Sequence, residues 1–207
     1  MARRLLDVIL SVVCLILAAA PMAAIALAIR LFDGSPVLFR QRRVGRGMRV
    51  FSLYKFRTMK SLPNMDCPLT PAGDPRVTGI GGFLRRFRLD ELPQLFNIVA
   101  GQMTFVGPRP EVPEFVDPQD PIQQQVYSVR PGLFDQATLR WFDEPYVLSR
   151  AADPKEYYRD VILPDKLACS LSHLETRTLV KDIRLVCAIF SRLLLSPKHE
   201  TRLRDTP

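Results

Sequence analysis

VILSVVCLILAAAPMAAIALAI, residues 8–29, carries no charge, and only Ser11 and Pro21 interrupt its apolar run. A straight helix of this length would reach about 33 Å, enough for the roughly 30 Å hydrocarbon core of a bilayer. The run therefore reads as a membrane segment. It exceeds the roughly 7 to 15 apolar residues of a cleaved signal peptide, which disfavours that reading. Pro21 removes a backbone donor and crowds the preceding turn, so a break is expected at Ala20–Pro21. Arg3 and Arg4 precede the run, while Arg30, Arg40, Arg42, Arg43, Arg46 and Arg49 follow it. Both flanks thus carry the charge typical of the cytoplasmic side. A proline-broken helix that returns to the side it entered satisfies both flanks. A single bent transmembrane helix satisfies one of them, and the charge excess downstream keeps that alternative open.

The chain of 207 residues is long enough for one domain with a buried core. Its 29 Lys and Arg against 21 Asp and Glu leave a formal charge of +8, which favours partners with negative charge. Aromatic residues do not interleave the basic groups as stacking platforms would, so nucleic acid is not expected. The four cysteines show no CxxC spacing and the two histidines lie apart from any ligand cluster, which argues against a zinc site. Reduced, cytoplasmic thiols fit this usage, with Cys14 and Cys187 read as small buried hydrophobes.

Beyond the membrane segment, Asp33–Pro36 is a turn signal. Val37–Phe39 then leads through VGRG to VFSLYKF, which reads as a short β-hairpin. Residues 61–75 form a loop that Gly81–Gly82 ends. A helix start is expected near Asp90 or Glu91, with Pro93 in its first turn. After Pro154 three helical candidates follow: KEYYRDVIL, DKLACSLSHL and TRTLVKDIRLVCAIFSRLLL. The last is amphipathic and fits either the core or a membrane face, with the core preferred. The elements add up to an α+β chain, mostly helical with a small hairpin.

Basic residues bunch beside Gly and Pro in YKFRTMK, DPRVT, RRFR and VGPRPE. Gly and Pro fix backbone shape and arginine forks match phosphate oxygens, so the set suits a phosphate-ester substrate, best a diphosphate. Asp90 and Glu91 in RLDELPQLFN would repel such a ligand unless a divalent cation lies between, or unless one of them is the nucleophile. Adjacent helical residues point about 100° apart, so one can reach phosphorus while the other holds metal. Two acids at a helix start also fit a plain capping role worth about 0.3 to 1 kcal/mol. The pattern alone leaves both readings open.

FRQRRVGRG, LYKFRTM, GDPRVTGIGGFLRRFRLDELPQLFNIVAGQMTFVGPRPE and VRPG, in this order behind a membrane segment, resemble the bacterial sugar transferase family, the monotopic phosphoglycosyl transferases. The resemblance runs from about Arg3 to about Gly132, with a weaker echo in LVKDIRLV. It implies transfer of a sugar 1-phosphate from a UDP-sugar to polyprenyl (undecaprenyl) phosphate, with release of UMP. Asp90 is then the nucleophile of an aspartyl-phosphosugar intermediate and Glu91 its metal-linked partner, the two holding Mg²⁺. Lys55, Arg57, Arg76, Arg85 and Arg109, with Pro108 beside the last, are the expected phosphate cradle, while Arg42, Arg43, Arg46 and Arg49 are expected to meet lipid headgroups. The family likeness also implies a re-entrant helix broken at Ala20–Pro21 over residues 1–32, and a membrane-associated catalytic domain over 33–207 with interfacial amphipathic helices. The expected location is the cytoplasmic face of a bacterial inner membrane, with a homodimer left open. A noncatalytic, membrane-anchored protein that binds anionic lipid or recruits glycan enzymes is the alternative.

Three departures stand out. Arg88 replaces the Ser common before LDE, and Gln102 replaces a common Asp; neither is expected to touch the acid pair, though both bear on support of its loop. After VRPG the family's TG-x-x-Q-x-x-G-R-N pattern gives way to LFDQATLRWFDE, where Arg140 is the candidate for the missing arginine.

Overall fold

The computed structural model of the chain describes residues 2–60 and 67–195. Part of the expected 61–75 loop, residues 61–66, lies outside the described residues.

Helix α1 (Ala2–Ala28) stays helical on both sides of Pro21 and ends in a wide π-helical turn, Ile29–Asp33. One side of it packs on the body of the protein. Cys14 and Leu15 meet a cluster of Leu53, Leu95, Ile98 and Met103, and Met22, Ile25 and Ala26 join a second with Ile29, Phe56 and Leu84. The other side, with Leu5, Ile9, Val12, Ile16 and Leu17, is exposed, Leu17 by 75%. Both ends are tied to the same body. The Arg4 guanidinium donates to the carbonyls of Ile98 (2.6 Å) and Val99 (2.9 Å), and Asp7 accepts from the Thr104 hydroxyl at 2.8 Å. At the far end the Asp33 carboxylate accepts from the Thr78 hydroxyl at 2.7 Å.

The expected hairpin is present as β1 (Leu38–Val44) and β2 (Val50–Phe56), antiparallel from Leu38 opposite Phe56 to Val44 opposite Val50. Helix α2 (Gly79–Arg86) begins where Thr78 caps it, its hydroxyl accepting from Gly81 N–H at 2.8 Å. Gly81 and Gly82 therefore lie inside this helix instead of ending a loop. The reason at Gly81 is a close approach: a Cβ there would stand 2.1 Å from the Thr58 carbonyl oxygen. A 3₁₀ turn, Leu89–Glu91, precedes α3 (Gln94–Val99), so the acid pair occupies the turn before a helix and not its first helical residues.

Strand β3 (Thr104–Val106) pairs in parallel with β4 (Gly132–Phe134), a second small sheet that the sequence reading did not foresee. It brings the VGPRPE and VRPG stretches together. Backbones touch here, since a Cβ on Gly132 would sit 2.1 Å from Gly107 N. Helix α4 (Pro121–Val126) lies between these strands in sequence; α5 (Gln136–Arg140) and α6 (Glu144–Arg150) follow.

The first two helical candidates after Pro154 merge. Helix α7 (Pro154–Tyr157) runs through a π segment, Tyr158–Ile162, into α8 (Leu163–Glu175). Pro164 has no N–H to give to the turn before it, which accounts for the widened register there. Tyr158, Ile162, Leu163 and Leu167 from this rod form the largest core cluster with Val112, Phe115, Val126, Tyr127 and Leu148. Helix α9 (Leu179–Leu195) buries Asp182, Leu185 and Ile189, as a core helix should, but leaves Val180, Ile183, Phe190 and Leu194 exposed along another face. Cys187 is exposed on it as well, contrary to the buried role expected of it.

Candidate active site

Asp90 and Glu91 are 6% and 7% exposed, so they are not a solvated helix start. The turn that carries them begins at Arg88, whose backbone is left-handed at φ 54°. Pro93 then leads into α3, and β2 runs alongside to deliver Lys55.

Glu91 is crowded with cations. Its Oε1 accepts from Arg109 Nη2 at 2.6 Å and from Lys55 Nζ at 3.3 Å, and Arg88 Nη1 stands 3.8 Å from its Oε2. Asp90, one residue away, accepts no hydrogen bond and closes no ion pair among the described residues. Electrostatics separate the two acids accordingly. Burial pushes the Asp90 carboxyl up, the Glu91 charge adds to the rise, and Lys55, Arg85 and Arg88 only partly offset it. Burial would raise Glu91 too, but Arg109, Lys55 and Arg88 hold it well below the usual carboxylate range. Burial brings Lys55 down to about 8 despite Glu91, and the Glu91 charge raises Arg109.

The expected cradle is assembled only in part. Lys55 and Arg109 reach Glu91 directly, and Arg85 feels the Asp90 charge while its Nε donates to the Thr58 hydroxyl at 2.9 Å. Arg76 is instead buried against Asp74, 2.7 Å away, and donates to the carbonyls of Cys67 and Leu69. Arg57 donates to the carbonyls of Asp33 and Ser35, just after α1. Arg140 on α5 pairs with Asp165 on α8 at 2.6 Å. Pro108 lines a small cavity beside Arg109 and accepts from Gly132 N–H through its carbonyl.

Two residues have other roles than the sequence suggested. Arg88 does approach the acid pair, against expectation, because its left-handed backbone places the side chain beside Glu91. Arg43 does not face headgroups: it is partly buried, donating to Glu111 at 3.2 Å and to the Pro110 carbonyl at 3.0 Å. Gln102 bonds to Asn97, between β2 and α3. Its Oε1 accepts from Asn97 Nδ2 at 2.7 Å; Asn97 also donates to Ser52 O and accepts from Tyr54 N–H, which fixes β2 against α3 and so Lys55 against Glu91. Asp135 was missed altogether. It is buried after β4, accepts from Arg109 N–H at 3.2 Å, and is raised by that burial.

The donor set fits a hard divalent cation. Among the described residues no donor bonds to either Asp90 oxygen, and Arg88, 3.8 Å away, leaves Glu91 Oε2 without a hydrogen bond. Magnesium typically takes one or two carboxylates and completes its shell with phosphate oxygens and water. Among the described residues no cluster of three or more ligating side chains exists, so a metal here would rely on a bound phosphate for further ligands.

The description bacterial sugar transferase matches residues 1–196 of the chain. A UDP-N-acetylgalactosamine-undecaprenyl-phosphate N-acetylgalactosaminephosphotransferase of Aeromonas hydrophila is 41% identical over 135 residues, 63% of this chain and 32% of that protein. A UDP-glucose:undecaprenyl-phosphate glucose-1-phosphate transferase of Caulobacter vibrioides is 33% identical, over 93% of this chain and 69% of its own. An exopolysaccharide production protein of Rhizobium leguminosarum is 31% identical, over 89% and 90%. The chain spans about a third of the Aeromonas relative and 65% of the length of a Bacillus subtilis one.

Proposed function

The chain belongs to the bacterial sugar transferase family, and from that premise we propose that it moves a sugar 1-phosphate from a UDP-sugar to undecaprenyl phosphate through a phosphorylated Asp90. The observation that carries this reading is the contrast within the acid pair: Glu91 is held by cations, whereas Asp90, one residue away, is buried with no hydrogen-bond or ion-pair partner among the described residues.

Ionised Asp90 is a nucleophile that needs no base. One of its oxygens attacks the sugar-bearing phosphorus of the donor, and the bond from that phosphorus to the oxygen shared with UMP breaks. UMP leaves with that electron pair. An oxygen of the lipid phosphate then attacks the same phosphorus, and Asp90 departs as a carboxylate. Glu91 keeps Arg109, Lys55 and Arg88 gathered where negative charge builds up, so their cost of assembly is met before substrate arrives. Asp90 and Glu91 would hold Mg²⁺, which when bound would supply neutralisation of phosphate charge.

Membrane placement follows the same reading. The segment Arg3–Asp33 is long and apolar enough to cross a bilayer. Its two ends are fastened to one body, by Arg4 and Asp7 at the start and Asp33 at the end, which supports a re-entrant course broken at Pro21 over a full crossing. With its exposed stripe, α9 would rest in the interface on the cytoplasmic face of the inner membrane.

The test is a panel of UDP-sugars, beginning with UDP-N-acetylgalactosamine and UDP-glucose, given with Mg²⁺ and no lipid acceptor. One equivalent of UMP should appear and a sugar phosphate should remain on Asp90 by mass spectrometry. Release of UDP, or UMP without an adduct, would sink the mechanism.

A further inference from the structure

Arg88 is the unusual cation of the site. Lys55 and Arg109 each bond to Glu91, and Arg85 is tied to Thr58. The Arg88 guanidinium donates no hydrogen bond among the described residues, and its nearest partner, Glu91 Oε2, is 3.8 Å away, too far for one. The side chain is only 27% exposed. A largely enclosed guanidinium with idle donors is costly unless something fills them.

The backbone sharpens the point. At φ 54° the residue adopts a conformation that glycine takes without strain and that L side chains rarely adopt. The loop geometry therefore gives no reason for an arginine; the reason must lie in what the side chain reaches. What it reaches is a place rich in positive charge, where Lys55, Arg85 and Arg109 also converge on the Asp90–Glu91 pair and the next carboxylate to act on Arg88, Glu144, is already paired with Lys166. Arginine presents a planar fork matched to phosphate oxygens.

We propose that Arg88 is an anion-binding residue of this site, its guanidinium donating to a phosphate oxygen of the substrate. The proposal rests on the transferase reading above for the identity of that phosphate, which belongs either to the donor diphosphate or to the lipid acceptor. These two follow one another on the same face of the reacting phosphorus, opposite Asp90.

The experiment uses the full chain in nanodiscs with Arg88→Gly and Arg88→Lys. Glycine suits the left-handed backbone and removes the whole side chain, guanidinium included, so R88G should melt at or above the wild-type temperature. Binding of UDP, as a probe of the diphosphate subsite, should weaken about 10- to 100-fold in R88G and recover in part in R88K. If UDP binding holds but discharge of the phosphosugar-loaded enzyme to undecaprenyl phosphate slows by that factor, the phosphate served is the acceptor's. R88G that matches wild type in both measurements overturns the proposal, whatever the fate of the transferase reading. Arg88-dependent UDP binding in a wild-type protein that forms no adduct would instead sink the transferase reading and leave this site standing.

Discussion

Glu91 and Glu111 are both buried and both paired with arginine, yet their surroundings are finished to different degrees. Glu111 accepts from Val112 N–H at 2.8 Å, from Arg43 at 3.2 Å and from the Tyr158 hydroxyl; Arg43 spends its remaining donors on Gln41 and the Pro110 carbonyl. Every polar group there has a partner inside the protein. Around Glu91 the count fails: among the described residues the Asp90 carboxylate accepts no hydrogen bond and the Arg88 guanidinium donates none. One short stretch, VGPRPE, feeds both places, sending Arg109 outward to Glu91 and Glu111 inward to Tyr158. A satisfied network rigidifies a core, whereas a partly satisfied one of equal burial is a place for something else to bind.

The comparison breaks most visibly at Asp90. Asp90→Asn should lower UMP release at least about 10³-fold, the scale expected for loss of a nucleophile. Its melting temperature should stay level or rise, because the change removes an unpartnered buried charge. A large fall in stability would mean that Asp90 is structural after all. Next comes Gly132→Ala, which forces a side chain into the Gly107 backbone and strains the sheet that positions both Arg109 and Glu111. We expect a cost of about 3 kcal/mol by urea denaturation, with activity lost alongside. Glu111→Gln should be milder, about 2 kcal/mol, since it leaves Arg43 buried against a neutral amide. Turnover per folded molecule should remain within about twofold of wild type. If instead E111Q melted normally and lost turnover, the inward cluster would belong to the chemistry.

The same contrast marks what the sequence could say. The hairpin was legible because its turn signal and alternation are local, and Asp90, Glu91, Lys55 and Arg109 were legible because their stretches are distinctive. The diversion of Arg57 and Arg76 was not. Arg76 is consumed by Asp74 only two residues away, and Arg57 by carbonyls at the end of α1; charge and spacing say nothing about which acceptor wins. Strands of three residues such as β3 and β4 are too short to show a period. Arg88 was set aside because its reach depends on a left-handed backbone, which no residue type except glycine announces. On α9 two apolar stripes share one helix, and a single amphipathic pattern could report only one of them.

The smallest effect is the most direct probe of the unfinished cluster, because it titrates one member. Burial brings Lys55 from its ordinary 10.5 to about 8, with Glu91 recovering part of the loss. Between those two values the unfolded chain holds a proton that the folded chain has released. The Lys55 contribution to stability therefore rises with pH through that window and is flat below about 8, where both states are protonated. Activity should move the opposite way. Once Lys55 loses its charge the cradle has one cation fewer, so kcat/KM for the UDP-sugar should decline several-fold above about pH 8. Lys55→Arg keeps the charge at any accessible pH and should carry that alkaline limb out of range. A limb still near 8 in K55R would assign the titration elsewhere, and Lys55 would then be one more satisfied buried group, like those around Glu111.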